Sequence, residues 1–229
     1  MSDRPRVAIR TLGCKLNQYE SEQLRQDFEA LGFVAVPFDA PAQVYVINTC
    51  TVTHRTDRDA RRLARQARRR ASDALVILTG CSAQMHAAEL EALGVADLVM
   101  DNAAKPELAR IAADRLVERG LPVAATPDCD TERLVRRFPA NTRAFVKVQE
   151  GCDAACAYCL VAAARGPGHS VPPEVVLRQA ELLAAGGHPE IVLVGTHLGA
   201  YGRDLSGGAP DLAELTRREG RSEVRRDHH

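Results

Sequence analysis

Two alternating patterns of apolar residues run along the first half of the chain. Short β-branched or aliphatic runs, RVAIRT (6–11), FVAVPF (33–38), VYVIN (44–48), ALVILT (74–79) and DLVM (97–100), predict strands. Between them apolar residues recur every three or four positions. This spacing predicts helices over Asn17 to Leu31, Thr53 to Ala71, 82–93 and 105–119, with Gly32 as the stop of the first. Ala60, Leu63, Ala64 and Ala67 fall on one side of the second helix. A run such as ALVILT is apolar without alternation, as a strand covered on both faces must be. Alternating β and α elements predict a three-layer α/β domain with a mostly parallel sheet.

Residues 121–141 carry prolines and mixed charge without a period and read as a linker. The pattern then restarts with a strand at RAFVKVQ (143–149), a loop at GCDAACAYC, a helix from Pro172 to Ala185 and a strand at EIVLVG (190–195). That is one βαβ unit. A glycine-rich loop, GTHLGAYGRDLSGGAPD, follows, and the last stretch begins as a helix and turns wholly polar after Leu215. The expected organisation is a domain over 1–120, a linker over 121–141 and a second domain over 142–229.

Composition narrows the class only a little. Charged residues make up 26% and the net charge is zero, so no global field draws in nucleic acid, and any such contact must be local. Lys15, Lys105 and Lys147 are the only lysines. MSDRPRVAIR lacks the apolar run of a signal peptide, and no stretch approaches the ~18 apolar residues of a membrane span. The expected location is therefore cytoplasmic, with no membrane partner. Thiols stay reduced there, so clusters of cysteines read as metal-binding or catalytic, and seven is an odd number that fits a disulfide framework poorly.

Six of the seven cysteines form two sets of three. RTLGC ends at Cys14, INTC at Cys50 and LTGC at Cys81, each just beyond a predicted strand. In a parallel sheet the strand C-termini share one edge, where ligands bind in open α/β folds. Gly13 and Gly80 would allow close backbone approach there. The second set, Cys152, Cys156 and Cys159, lies within one loop. A closed structural zinc site or iron–sulfur cluster takes four protein ligands, whereas three leave a position open. A Cys3His zinc loop completed by His169 is the alternative, and small buried hydrophobes are the alternative for the first set. Cys129 reads as a free thiol.

These residues resemble a known family. C-x3-C-x2-C with Tyr158 before its last cysteine resembles the radical S-adenosylmethionine enzymes. TLGCKLNQYES, INTCTVT and TGCSAQ, with GCD-x3-C-x-YC, Arg165-Gly166 and GTHLGAYG, resemble the methylthiotransferases among them. The first motif is most similar to members that modify N6-threonylcarbamoyladenosine beside the tRNA anticodon. The resemblance spans about residues 6 to 214 and departs at Ala162 and Ala163, where the family has proline and an aromatic.

The resemblance implies two 4Fe–4S clusters, one on Cys152, Cys156 and Cys159 and an auxiliary one on Cys14, Cys50 and Cys81. S-adenosylmethionine would bind the open iron of the first and be cleaved to a radical that activates carbon 2 of the adenine. The second would carry the sulfur. Tyr158 would lie beside the cluster and the cofactor's adenine, and Gly195 to Gly202 would meet its methionine part; His197 has no assigned role. Partners would be tRNA, an electron donor such as a flavodoxin or ferredoxin, and a sulfur donor. Helix 53–71 carries Arg58, Arg61, Arg62, Arg65, Arg68 and Arg69 on and around one face, which would meet tRNA phosphates. A solvated helix, with Asp57 and Asp59 diluting its charge, is the plain alternative.

The resemblance also implies the start of a partial (β/α) TIM barrel after Thr142. A complete eight-stranded barrel takes roughly 250 residues, far more than Thr142 to His229 supply. The expectation is a C-terminally truncated methylthiotransferase whose barrel portion is marginal. The competing readings are an inactive truncated fragment and a non-catalytic iron–sulfur or zinc protein that binds RNA.

Overall fold

The computed structural model describes residues 4–50, 54–123, 133–139, 142–154, 156–206 and 211–219. Cys129 and the polar end beyond 219 lie outside the described residues. The chain forms two units, Met1–Arg133 and Leu134–His229.

The first unit follows the alternation of the sequence. Strands β1 (Arg6–Thr11), β2 (Val34–Val36), β3 (Val44–Thr49), β4 (Leu75–Gly80) and β5 (Leu98–Met100) form one parallel sheet in the order β2-β1-β3-β4-β5. Side chains of a strand point alternately to its two faces, and the two cores split on that rule. Val44, Val46, Leu75 and Ile77 pack on one face with Leu24 and Phe28 of α1 (Lys15–Ala30) and Leu108, Ala112 and Leu116 of α5 (Lys105–Glu118). Tyr45, Ile47, Val76 and Leu78 pack on the other with Leu63, Ala64 and Ala67 of α2 (His54–Arg70). Helices on both faces explain why β3 and β4 are buried throughout and carry no polar alternation.

Two local details depart from the expectation. α1 begins at Lys15, directly after Cys14, rather than at Asn17. The helix expected over 82–93 is two short ones, α3 (Cys81–Met85) and α4 (Ala87–Ala92), broken at His86, whose backbone leaves the helical region. Gly32 ends α1 as expected, with a φ of +84° that glycine adopts without penalty.

The second unit begins within the segment read as a linker: Val135 and Phe138 are fully buried. Val135 exchanges two backbone bonds with the buried Gln179 amide, which accepts from its N–H at 2.7 Å and donates to its carbonyl at 2.5 Å. Strands β6 (Arg143–Glu150) and β8 (Glu190–Gly195) pair in parallel, joined through α6 (Val161–Arg165) and α7 (Pro173–Ala185). A third strand, β7 (His169–Ser170), adds to β6 in antiparallel sense, where the sequence showed two strands only. Two residues carry no period, so β7 could not be read. α8 (Leu212–Glu219) buries Leu215, while Ile191, Val192 and Leu193 of β8 stay half-exposed.

Leu78 is fully buried in β4, an interior strand of the larger sheet. Leu78→Ala is expected to lower unfolding free energy by about 2–5 kcal/mol. Urea unfolding of the full chain followed by circular dichroism checks this.

Candidate functional site

Both candidate centres lie where strands end, one in each unit. In the first unit, β1 runs to β2 on one side and the chain then crosses to β3 on the other. The carboxyl ends of β1 and β3 therefore form the switch point at which open α/β sheets bind ligands. Cys14 follows β1, Cys50 follows β3, and Cys81 follows β4. Thr49 pairs with Gly80, so Cys50 and Cys81 are the next residues on adjacent strands. Cys50 and Cys81 are buried and Cys14 is exposed.

Close backbone approach holds these ends together. A Cβ on Gly13 would stand 2.7 Å from Cys50 Sγ, and one on Gly80 would stand 2.4 Å from the Thr49 carbonyl. Both glycines have φ near +95°, closed to most side chains. Asn17, fully buried, ties the segments: its amide donates to Leu12 O at 2.9 Å and Thr49 O at 2.8 Å, and its Oδ1 lies 3.4 Å from Cys14 Sγ. Thr49 Oγ1 donates to Thr79 O and accepts from Ala83 N, linking β3 to β4 and α3. Cys14 occupies the N-cap position of α1, without a side-chain capping bond, beside first-turn amides that favour negative charge.

In the second unit the cysteine loop leaves β6 at Gly151. A Cβ there would fall 1.9 Å from the Pro167 carbonyl, so only glycine fits. Cys152 N donates to Gly166 O at 3.1 Å, Asp153 Oδ1 accepts from Gly168 N at 3.1 Å, and Cys159 N donates to Cys156 O at 3.0 Å. Below the loop, Glu150 accepts from Arg165 Nη1 at 2.6 Å and Lys147 Nζ at 2.7 Å. The Arg165 side chain is almost wholly buried. The Arg-Gly after the loop is thus its brace.

A cleft of about 270 Å³ opens beside the loop, lined by Gln149, Cys152, Asp153, His197, Arg203 and Asp204 among others. Ser170 donates to Asp204 from both its hydroxyl, at 2.6 Å, and its amide, at 2.8 Å. These bonds hold the Asp204 carboxyl below the usual carboxylate range. Tyr201 donates its hydroxyl to Val171 O. The glycine-rich loop after β8 is therefore pinned to β7.

The structure places the remaining candidates as follows. Tyr158 is 91% exposed, as are Cys156 and Cys159 in class, and Tyr158 and Gly195 are not walls of the cleft. Gly195 instead allows close packing: a Cβ there would meet Gln149 Cβ at 3.1 Å. Arg58 and Arg65 are exposed and Arg61 is half-buried. Arg68 donates to Ser72 O, Ala74 O and Asp97 Oδ2, so it closes the C-terminal end of α2. Among the described residues no group of three or more His, Cys, Asp and Glu is drawn together so as to hold a single metal ion, His169 included. Two buried polar atoms at the strand ends, Asn48 Oδ1 and Thr196 Oγ1, have no hydrogen-bond partner among the described residues. No helix among them is long and apolar enough to cross a membrane. Sequence reasoning missed Gln149, Asp153 and Asp204; the only signal was their place beside the cysteine loop and the glycine-rich loop.

Gly13→Ala is expected to force Cys50 out of position and to lower the unfolding free energy of the chain. Urea unfolding compared with wild type checks it.

The model of a family described as the uncharacterized protein family UPF0004 matches residues 6–101. The threonylcarbamoyladenosine tRNA methylthiotransferase MtaB of Aquifex aeolicus is 42% identical over 204 residues, 87% of this chain and 50% of that protein. MtaB of Bacillus subtilis is 39% identical over 227 residues, 96% of this chain and 50% of that protein. Among solved structures, a radical S-adenosylmethionine methyltransferase, TsrM, from Kitasatospora setae with cobalamin and a 4Fe-4S cluster bound, shares the fold with a TM-score of 0.57 at 15% identity, over 94% of this chain and 52% of that one. The chain spans about half the length of the curated relatives it matches. Residues 6–101 thus match the UPF0004 family model, and most of the chain is similar to about half the length of the MtaB methylthiotransferases.

Proposed function

We propose that the chain is the N-terminal part of a tRNA methylthiotransferase that adds a methylthio group to carbon 2 of N6-threonylcarbamoyladenosine. The observation that carries the reading is the pair of three-cysteine sets, the first at the carboxyl ends of three parallel strands and the second in the loop that leaves β6. One is cradled by Gly13 and Gly80, the other by Gly151. The names of the relatives support the substrate class.

Cys14, Cys50 and Cys81 would hold one 4Fe–4S cluster and Cys152, Cys156 and Cys159 the other. Each set leaves an iron position for a non-protein ligand. With S-adenosylmethionine these groups would supply one-electron cleavage chemistry, a site that carries the sulfur, and the methyl group. The protein's own part is placement. Gly151, Asp153 and the Arg165–Glu150–Lys147 brace fix the second loop. The cleft beside it offers Asp204 as a carboxylate kept ionised by Ser170, and Arg203 as a cation. Such a pair suits a zwitterionic amino-acid group. The electron would come from a small redox protein and the sulfur from a separate donor.

For tRNA, Arg58, Arg61 and Arg65 on α2 are the proposed phosphate contacts. Arg68 acts on the fold itself, through Asp97 and two carbonyls. Arg58→Glu with Arg65→Glu is expected to weaken tRNA binding about tenfold at low salt, with a shallower salt dependence than wild type. Filter binding across a salt series reads this.

Anaerobic reconstitution with iron and sulfide tests the central reading. About eight irons per chain are expected, four for each of two clusters, with formation of 5′-deoxyadenosine from S-adenosylmethionine. Cys14→Ala and Cys152→Ala should each remove roughly half of that iron. One zinc per chain without cleavage of S-adenosylmethionine would sink the proposal.

A further inference from the structure

Two side chains tie the cysteine loop of the second unit to the loop after β8, and the reading above uses neither. Gln149 is 1% exposed, at the end of β6. Its side-chain amide donates to Glu150 O at 2.9 Å and to Gly151 O at 2.8 Å, while its side-chain carbonyl accepts from His197 N at 2.8 Å. The opposite amide orientation would face oxygen to two carbonyls and N–H to N–H, so the contacts fix it. Gly195 lets β8 close against Gln149. This grip sets the position of His197. Its Nδ1 lies 3.9 Å from Cys152 Sγ, within reach of a hydrogen bond to sulfur, and its ring borders the same cleft as Cys152.

We infer that His197 is a positioning residue for the Cys152 centre: its ring, in the Nδ1–H tautomer, donates a hydrogen bond to the Cys152 sulfur, and Gln149 holds it there by binding both loops. The inference rests on the reading that Cys152, Cys156 and Cys159 carry a cluster. Three features support a role beyond packing. Gln149 is polar at a site where an apolar residue would bury at lower cost. All of its hydrogen-bonding groups used here point to the two functional loops. And it is the backbone of His197 that Gln149 fixes, leaving the ring free to act on the sulfur. A donor aimed at a ligand sulfur favours the form of the cluster with more negative charge, which is the reduced one. His197 therefore raises the midpoint potential of that cluster.

The test uses the full chain, reconstituted anaerobically and titrated potentiometrically. The readout is the electron paramagnetic resonance signal that changes on adding S-adenosylmethionine. Asparagine places an amide N–H close to the Nδ1 position of histidine, whereas glutamine places it near Nε2. His197→Asn is therefore expected to keep the wild-type midpoint. His197→Gln and His197→Leu should both lower it, with iron content unchanged, and Gln149→Leu should move it in the same direction. Should the Leu variants fail to fold, the Asn and Gln pair still decides. Equal midpoints in all variants, or an Asn variant shifted as far as the Gln variant, would overturn the role of His197 and leave the cluster reading standing. A wild-type chain with no S-adenosylmethionine-responsive signal would remove the cluster reading and the inference with it.

Discussion

The pairing of Thr49 with Gly80 is the constraint on which the first centre depends. In a parallel sheet every strand points its carboxyl end the same way, so one register fixes where all later residues begin. With Thr49 opposite Gly80, Cys50 and Cys81 leave the sheet side by side. A one-residue slip would turn one of them to the opposite face. Both faces of β3 and β4 are apolar, so polarity does not hold the register; the fit of side chains does, with Val46 and Ile77 packed in one core and Ile47 and Leu78 in the other. Core packing thus sets the position of the thiols.

Backbone space is the second requirement. Sulfur and carbonyl groups approach the Cα positions of Gly13, Gly80 and Gly151 more closely than any side chain allows. Each glycine precedes a cysteine by one residue. The two units reach this arrangement differently. The first collects its cysteines from three strand ends, and the second gathers them in one loop after a single strand. The same Gly-Cys step serves both, because it turns the chain sharply just before the cysteine and removes a Cβ that would clash with Cys50, Thr49 or Pro167.

Much of this was legible in the sequence. The strands of the first sheet were visible as β-branched runs, and the glycine-cysteine steps were visible as motifs. The break at His86 was not, because the apolar spacing continues across it while the backbone does not. Nor was β7, since His169-Ser170 has no strand character of its own; it pairs with β6 and is held from the other side by Asp204, 34 residues later. Arg68 looks like any other arginine of its helix until the Asp97 carboxylate and two carbonyls are placed around it. Long-range polar contacts of this kind leave no period to read.

Charge follows the same division. The chain has as many acidic as basic residues, and many arginines are internal ties. Arg165 braces the cysteine loop, Arg68 closes α2, and Arg133 pairs with Asp27 on α1. Burial outweighs that last pairing and raises the Asp27 carboxyl above its ordinary value, so the Asp27–Arg133 pair costs desolvation that Coulomb attraction does not fully recover. A ledger that counted every arginine as nucleic-acid binding would therefore be wrong in kind. The outer side of α2 differs from these ties. There Ala60, Leu63, Ala64 and Ala67 commit the opposite side to the core and leave Arg58 and Arg65 in water. The helix is amphipathic because of the sheet beneath it, and its basic side follows from that same constraint.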